Sequence, residues 1–375
     1  MRFPAFNTLV LTFVLTLNSC SGEDLQIDNS VDFEDDIAFE MEDQKIPTLS
    51  ALIFKEDQVL YERHFGLANV EQNSPLSANH IFLLASVSKT ITATALLQLY
   101  EDGRFALDDK VNDYLPFRVK VPNQSTDITF QMLLTHTSGI ADGDVLDGQY
   151  YYGEDSPVAL DFFLENYLVP GGQFYNASQN YHSFEPGTQH EYSNVGNALI
   201  AVLVEQVSGM GFNAYCKQNI FNPMGMTNSY WRLDEISQPI VQPYEYRGGA
   251  YMTIQHYTFT DYPNGGLRSN VSDMFIFLST LAQGGSRNGF ELLKPDTVAA
   301  MISPQIENID NTVGLHMFRF DRNRNLWGHD GGEQGVATIM AFNPDTKIGV
   351  LIFTNQGDAD LDDLLTDAYD LGTKL

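Results

Sequence analysis

Ser86 and Lys89 lie three residues apart in the run Ser86-Val87-Ser88-Lys89, at the start of a predicted helix. Apolar residues between positions 82 and 99 recur near helical spacing, and Gly103 offers a stop, so the two side chains share one helix face. A serine hydroxyl is a weak nucleophile and needs a neighbouring base. The helix start favours a developing alkoxide and disfavours an ammonium, so a buried Lys89 could be that base. The alternative is a capping serine beside a surface lysine, because this spacing alone is common.

Tyr192 and Asn194 form a second candidate element, on a Pro/Gly-containing loop that enters a predicted helix over 195–207. A tyrosine on such a loop can project into a cleft, and one placed among cations can have a lowered pKa and exchange protons with Ser86. Asn194 offers an amide that could hold Lys89 or a substrate carbonyl. The alternative is a packed aromatic residue and a helix cap, since Tyr262-Pro263-Asn264 matches the same short pattern.

The third candidate element is the run His329-Asp330-Gly331-Gly332, on a strand that precedes a predicted hairpin of strands over 336–342 and 348–353. Glycines permit close backbone approach to a ligand, so the Gly332 N–H group could pair with that of Ser86 as an oxyanion hole. His329 could contact a substrate carboxylate or the Tyr192 oxygen, depending on its charge. The alternative is that His329 is an ordinary turn residue.

These three elements, in this order, resemble the serine β-lactamase and penicillin-binding protein superfamily. The nearest branch contains class C β-lactamases, D,D-carboxypeptidases, D-aminopeptidases and related esterases. The resemblance covers residues 45–357, and further segments carry it: Leu133-Leu-Thr-His136-Thr-Ser-Gly139-Ile140, Phe184-Glu-Pro-Gly187, Pro263-Asn-Gly-Gly-Leu-Arg-Ser269 with Asp273, and Asn343-Pro-Asp345.

The resemblance implies a role for each residue of the three elements. Ser86 would be the acylated nucleophile, and Lys89 and Tyr192 would share the duties of general base and acid. Asn194 would orient Lys89 and the substrate amide. The N–H groups of Ser86 and Gly332 would form the oxyanion hole, with Gly331 beside them on the substrate-binding strand.

Two residues depart from the pattern of this superfamily. His329 stands where many members have lysine, and Asp330 stands where they often have a hydroxyl. A lysine and hydroxyl pair holds the carboxylate of a β-lactam, whereas a neutral histidine beside an anionic aspartate would hold it poorly. The alternative is that Asp330 points away from the cleft, because neighbouring strand residues face opposite sides.

The sequence therefore predicts an exported serine hydrolase that cleaves an ester or amide, of carboxylesterase or D-alanyl peptidase type, through an acyl-Ser86 intermediate. A class C-like β-lactamase ranks below it. An alternative of another class is a penicillin-binding sensor or cell-wall binding module without efficient turnover. The predicted reaction needs neither a metal ion nor a cofactor.

The N-terminal residues 1–20 resemble a bacterial lipoprotein signal. An apolar run over 9–17 is too short to span a bilayer, and Leu17-Asn18-Ser19-Cys20 follows it. Lipidation of Cys20 would anchor the enzyme to a membrane, facing the periplasm or cell exterior; the alternative is an ordinary secretory signal. Cys216 would then be the remaining thiol, and a buried core position is expected for it.

Acidic residues dominate the chain, which has a formal net charge of −29 at pH 7. Nucleic acid and anionic lipid heads are therefore unfavourable partners, and a small-molecule ester, amide or D-alanyl peptide is expected instead. Positions 23–43 hold ten acidic and no basic residues. This composition predicts an extended tether over 21–44, and a second acidic segment covers 358–375.

The fold expected from the strand pattern and the resemblance is of the α+β class, an α/β sandwich. Strands over 49–55 and 59–65 should join the C-terminal strands in one antiparallel sheet flanked by helices. Residues 108–265 would form an inserted, mostly helical lobe, with the cleft between lobe and sheet. The stretch 142–189 would be a wall of the substrate pocket.

Overall fold

The computed structural model describes residues 30–375, so the predicted signal, Cys20 and the start of the acidic segment lie outside the described residues. Seven strands form one antiparallel sheet in the order β12-β13-β14-β15-β1-β2-β3. Short two-stranded pairs lie outside this sheet. The strands are β1 (Thr48–Lys55), β2 (Gln58–Asn69), β3 (Ser74–Pro75), β4 (Phe82–Leu83), β5 (Tyr150–Tyr152), β6 (Tyr244–Arg247), β7 (Ala250–Thr253), β8 (Tyr257–Phe259), β9 (Arg268–Ser269), β10 (Ser286–Arg287), β11 (Phe290–Glu291), β12 (Phe318–Asp321), β13 (Leu326–Glu333), β14 (Val336–Phe342) and β15 (Ile348–Thr354).

The helices cover both faces of this sheet and build the lobe beside it. They are α1 (Ser30–Asp43), α2 (Ser88–Glu101), α3 (Phe130–Leu134), α4 (Leu160–Leu168), α5 (Asn194–Ser208), α6 (Phe212–Cys216), α7 (Asn222–Met224), α8 (Val271–Ala282), α9 (Pro295–Met301) and α10 (Asp362–Gly372). Within residues 30–375, no single helix is long and apolar enough to cross a bilayer, and α5 with the segment Phe212–Met224 passes that criterion as a pair bent by 75°.

The sheet joins the two ends of the chain, as the strand pattern predicts. β1 pairs with β15 in the register Leu52↔Leu351 and with β2 on its other side. Alternate residues of β1 point to opposite faces. Ala51 and Ile53 pack with α1 and α10, whereas Leu52 and Phe54 belong to the larger core under α2, α5 and α8. The sheet is therefore buried on both faces, and the expected α+β sandwich is confirmed.

The inserted lobe carries α3 to α7 together with the strand pairs β5–β8 and β6–β7. Its central helix α5 is buried along most of its length and packs against α2. Cys216 lies buried in α6, as expected, and burial raises the pKa of its thiol. The contact between α5 and α2 brings the start of one helix beside the start of the other.

The predicted acidic tether is wrong for residues 30–43, because these residues form helix α1. Phe33 and Ile37 are four residues apart and both are buried against the sheet and α10. One apolar stripe at helical spacing is sufficient to dock an otherwise acidic helix, since the acidic side chains occupy its other faces. The acidic C-terminal segment docks in the same way, through Leu364, Leu365 and Ala368 of α10.

Helix α2 begins six residues later than the position 82 expected from apolar spacing. Phe82 and Leu83 form strand β4, which pairs with β9, and a single 3₁₀ turn over Ala85–Val87 separates it from α2. The apolar residues in this stretch are buried in a strand and a turn, which periodicity cannot distinguish from a helix. Ser86 therefore lies on the turn, and Lys89 lies in the first turn of α2.

Candidate active site

Ser86 occupies a tight turn at the base of the cleft between the sheet and the lobe. The preceding residue, Ala85, has φ 47°, a left-handed conformation that a residue with a β-carbon seldom adopts. The side chain of Ser86 is part-buried, whereas its neighbours on the turn are buried. This turn presents one hydroxyl at the end of a rigid, buried helix.

Lys89 is fully buried, and its amine contacts three oxygens. Nζ lies 2.9 Å from Ser86 Oγ, 2.8 Å from Asn194 Oδ1 and 2.7 Å from the Asn264 carbonyl oxygen. Burial lowers the pKa of Lys89 to about 7, although the carboxylates of Asp142 and Asp261 act in the opposite direction. The lysine can therefore exchange a proton near neutral pH.

The partners of Lys89 match a neutral amine that faces the nucleophile. A neutral amine has two N–H donors and one lone pair. The Asn194 and Asn264 oxygens can only accept, so they take the two donors. The lone pair is then free to accept the Ser86 hydroxyl proton. An ammonium would donate to all three oxygens, so the geometry admits both protonation states and allows Lys89 to accept the Ser86 proton when it is neutral.

Tyr192 lies two residues before α5, and the Lys89 amine lies 4.8 Å from the centroid of its ring. The residue is 38% exposed, so one side of it borders the cleft. Its pKa is not lowered as the sequence suggested: desolvation raises it above its ordinary value, and the Ser86 hydroxyl offsets this in part. The nearby Lys89 has its pKa lowered to about 7, so it carries only part of a positive charge at neutral pH. Tyr192 therefore keeps its proton and suits the role of an acid.

Asn194 is fixed by a carboxylate at the start of α5. The Asn194 and Val195 N–H groups donate to the two oxygens of Asp142 at 2.9 and 3.0 Å, and the Ser193 hydroxyl donates to it at 3.2 Å. A carboxylate at a helix N-terminus satisfies free N–H groups and complements the helix dipole. Asp142 thereby sets the position of the side chain that holds Lys89.

Strand β13 brings its glycines to the nucleophile. A β-carbon on Gly331 would lie 2.8 Å from the Ser86 backbone nitrogen, so this position admits no side chain without movement. Residues 329, 331 and 333 share this face, because side chains alternate along a strand. A β-carbon on Gly332 would meet nothing within 4 Å, so that residue borders open space. The pairing of the Ser86 and Gly332 N–H groups stays a prediction.

His329 is buried beside Tyr192, and Asp330 points to the other face of β13. The rings of His329 and Tyr192 meet edge to face, with their centroids 6.2 Å apart. The His329 Nδ1–H group donates to the Asp330 carbonyl oxygen at 2.6 Å, and burial lowers the pKa of His329 to about 4. The Asp330 side chain is 65% exposed, which agrees with the alternative that this residue points away from the cleft. Burial thus favours the expected neutral histidine, although Asp330 Oδ1 lies 3.8 Å from His329 Nδ1 and acts on its pKa in the opposite direction.

An acidic cavity of about 260 Å³ adjoins Asn194. Its described lining includes five carboxylates and no Lys, Arg or His: Asp142, Asp144, Asp147, Asp261 and Glu333. Burial raises the pKa of Asp261 to about 7, and burial also raises that of Glu333. The cavity therefore disfavours an anionic group beside Asn194.

The structure brings together all seven predicted site residues, from Ser86 to Gly332. Sequence reasoning missed the contact of Lys89 with the Asn264 carbonyl oxygen, although the segment 263–269 carries part of the family resemblance. It also missed Asp142, Asp261 and Glu333 as groups acting on Lys89. Asp142 does begin the predicted pocket wall over 142–189, and residues as far as Tyr150 line the cavity.

Two known proteins are similar in sequence to most of this chain. Penicillin-binding protein 4* of Bacillus subtilis is 28% identical over 317 residues, which cover 80% of this chain and 66% of that protein. Protein flp of Staphylococcus aureus is 22% identical over 331 residues, which cover 85% of this chain and 61% of that protein. The chain thus spans less than two thirds of the length of these relatives.

Solved structures show the same fold at low sequence identity. A penicillin-binding protein homologue from Pyrococcus abyssi, described as octameric, superposes with a TM-score of 0.72 at 24% identity, covering 92% of this chain and 76% of that one. EstCE1, described as a hydrolase with promiscuous acyltransferase activity, gives a TM-score of 0.70 at 18% identity, covering 92% of this chain and 98% of that one. The sequence model of the Beta-lactamase family matches residues 33–373, which extends beyond the predicted limits 45–357, and the chain belongs to this family.

Proposed function

We propose that this protein is a serine hydrolase that cleaves an ester or amide through an acyl-Ser86 intermediate. The observation that carries the proposal is the 2.9 Å distance between Lys89 Nζ and Ser86 Oγ in a site that lowers the pKa of Lys89 to about 7. A base with a pKa near the working pH combines a useful neutral fraction with useful basicity.

In the proposed reaction, neutral Lys89 accepts the Ser86 proton while Oγ attacks the substrate carbonyl carbon. The N–H groups of Ser86 and Gly332 stabilise the oxyanion. Tyr192 gives its proton to the leaving alcohol or amine and is reprotonated from the Lys89 ammonium. Water then attacks the acyl-serine, Lys89 takes a proton from that water, and the acid product leaves as Ser86 regains its proton.

The polarity of the site favours acyl groups without a carboxylate. Burial lowers the pKa of His329 to about 4, which favours its neutral form, and the cavity beside Asn194 is lined by carboxylates. An anionic substrate group placed there would lack a charged hydrogen-bond donor and face like charges. Carboxylesterase or D-alanyl peptidase activity, with its carboxylate in another part of the cleft, therefore ranks above β-lactamase activity.

The test is one side-by-side assay of short-chain p-nitrophenyl esters, D-alanyl-D-alanine peptides and a chromogenic cephalosporin, with Ser86→Ala as control. We expect multiple turnovers of an ester or peptide, lost in Ser86→Ala, and a fluorophosphonate adduct on Ser86 by intact-mass analysis. A p-nitrophenyl butyrate and its succinyl counterpart test polarity, and the neutral ester should react faster. No adduct on Ser86 would contradict the proposed chemistry.

The same experiment separates a second candidate function of another class. A penicillin-binding sensor or cell-wall binding module would form a stable adduct on Ser86 without turnover. The part-buried nucleophile and proton-donating Tyr192 favour turnover over such trapping, because both halves of the reaction need proton transfer at this site.

We also propose that the protein is exported and anchored by a lipid on Cys20. The apolar run over 9–17 and the Leu17-Asn18-Ser19-Cys20 sequence support this proposal. Metabolic labelling with a fatty acid should label the wild-type chain and not Cys20→Ser. Release of an unlabelled, shorter protein would instead indicate an ordinary secretory signal.

A further inference from the structure

Four histidines, His136, His190, His316 and His329, lie near Tyr192, and the proposed reaction uses none of their ring nitrogens. His136 lies at the centre, with its ring centroid 4.5 Å from that of His316 and 6.1 Å from that of His190. Five buried nitrogens of this cluster have no hydrogen-bond partner in the described chain: His136 Nε2, His190 Nε2, His316 Nδ1, His316 Nε2 and His329 Nε2. Among residues 30–375, no group of His, Cys, Asp or Glu is arranged to hold a metal ion.

His136 contacts three consecutive residues of the loop that carries Tyr192. Its carbonyl oxygen accepts from the Glu191 N–H group at 2.9 Å, and its ring Nδ1 accepts from the Ser193 N–H group at 3.1 Å. The residue between Glu191 and Ser193 is Tyr192, and the His136 ring stacks on its ring with centroids 4.3 Å apart and an interplanar angle of 27°. The residue before, the residue after and the aromatic ring itself are thus all held by one side chain and its backbone.

The hydrogen bond to Ser193 determines the protonation state of this histidine. A backbone N–H group can only donate, so Nδ1 must carry no proton and the ring must be the neutral Nε2–H form. Burial lowers the pKa of His136 well below its ordinary value, and His316, Lys89, His329 and His190 act in the same direction. Protonation at Nδ1 would set two donors against each other and release the loop.

We propose that His136 is a positioning residue that holds the Tyr192 hydroxyl over Ser86, through the neutral Nε2–H form of its ring. The proposal rests on the proposed function, because Tyr192 must transfer a proton for its position to affect the rate. His136 touches neither substrate nor reacting atoms. It acts by fixing the backbone on both sides of Tyr192 and one face of the tyrosine ring.

His316 provides a matched control for this role. It is buried like His136 and shares its left-handed backbone, with φ 52° against 53°. Neither of its ring nitrogens makes a hydrogen bond, and its described ring contact is with His136 rather than Tyr192. Replacement of either histidine by leucine therefore removes a similar buried ring, whereas His136→Leu alone removes the bond to Ser193.

The kinetic test compares His136→Leu, His136→Asn and His316→Leu on two esters. An alkyl ester needs its leaving alcohol protonated, whereas p-nitrophenolate leaves as an anion. We expect His136→Leu to lower kcat for the alkyl ester about tenfold or more, with a smaller loss for the p-nitrophenyl ester and little change in KM. His136→Asn, which keeps an acceptor oxygen and tolerates a left-handed backbone, should recover most of that loss. Equal losses in the two leucine variants, or the same loss with both esters, would overturn the proposal.

A spectroscopic test needs neither turnover nor a folded leucine variant. In protein labelled with ¹⁵N at histidine, the His136 signals, identified by their loss in His136→Asn, should show a bare Nδ1 and a protonated Nε2. A proton on Nδ1 would overturn the proposal. If the wild-type protein turns over neither ester, the proposed function fails while this measurement still decides the state of His136, so the two failures are distinguishable.

Discussion

Gly331 lies so close to Ser86 that the two backbones leave no room for a side chain between them. A β-carbon on Gly331 would be 2.8 Å from the Ser86 nitrogen and 2.6 Å from both the Leu84 carbonyl oxygen and the Thr338 hydroxyl oxygen. The Thr338 hydroxyl donates to the Leu84 carbonyl oxygen at 2.7 Å. Strands β13 and β14 therefore pack directly against the turn that carries Ser86. The proposed oxyanion hole would therefore rest on contacts that tolerate no added methyl group.

Gly331→Ala should destabilise the fold and displace the nucleophile. Overpacking of this kind costs about 1–3 kcal/mol of unfolding free energy, measured by denaturant titration. Acylation of Ser86 by a fluorophosphonate should slow at least about tenfold, since removing one oxyanion donor costs more than that. Gly332→Ala is the matched control for stability, because its β-carbon would meet open space. A similar loss of stability in both variants would contradict the close packing at Gly331.

The rate should follow the proton on Lys89. Burial lowers the pKa of Lys89 to about 7, so the amine is neutral above this pH and an ammonium below it. Only the neutral form can accept the Ser86 proton, so kcat/KM should fall about tenfold for each pH unit below that value. A pH–rate profile on a neutral ester measures this limb directly.

Lys89→Arg separates the basicity of this residue from its charge. Arginine stays protonated at all working pH values, so it cannot accept the proton of Ser86. We expect a loss of at least about a hundredfold, the scale of general-base catalysis, with no recovery between pH 6 and 9. Substantial activity in this variant would show that Lys89 acts through its positive charge.

Helix α1 should contribute to stability through one apolar stripe. Phe33 is buried against the sheet face that α10 also covers, whereas Phe39 on the same helix is 65% exposed. Phe33→Ala should cost about 3–5 kcal/mol of unfolding free energy, as for other buried phenylalanines. Phe39→Ala should change it by less than about 0.5 kcal/mol. Equal effects would indicate that α1 does not dock on the sheet in solution.

The difference between the tether expected over 21–44 and the helix found over 30–43 has a clear physical origin. Ten acidic residues outweigh Phe33 and Ile37 in any composition average, although those two residues alone form the buried stripe. The strands were predictable because β1, β14 and β15 carry dense β-branched and aromatic residues between clear turns. The start of α2 was not, since β4 and the turn at Ser86 are as apolar as the helix that follows.

The members of the site were predictable by type, but their protonation states were not. Short motifs specify Ser86, Lys89 and Tyr192, whereas the pKa direction of each depends on burial and on groups far away in sequence. Tyr192 illustrates this, because desolvation raises its pKa where a sequence-based argument from nearby cations predicted a lower one. Asp142 and Asp261 act on Lys89 from 53 and 172 positions away in the chain, a relation that no local pattern reveals.

Asp142 links the start of α5 to the base, so its substitution should move the pH profile as well as the stability. Of the carboxylates that raise the pKa of Lys89, Asp142 acts most strongly, so Asp142→Asn should lower that pKa and shift the acid limb of kcat/KM to lower pH. The variant also replaces an acceptor for the Asn194 and Val195 N–H groups by an amide, at a cost of about 1–3 kcal/mol of unfolding free energy. Asp144→Asn is the control, because Asp144 lines the same cavity but is not among the carboxylates that act on Lys89. A profile that stays fixed in Asp142→Asn, or one that shifts equally in both variants, would contradict a specific action of Asp142 on the base.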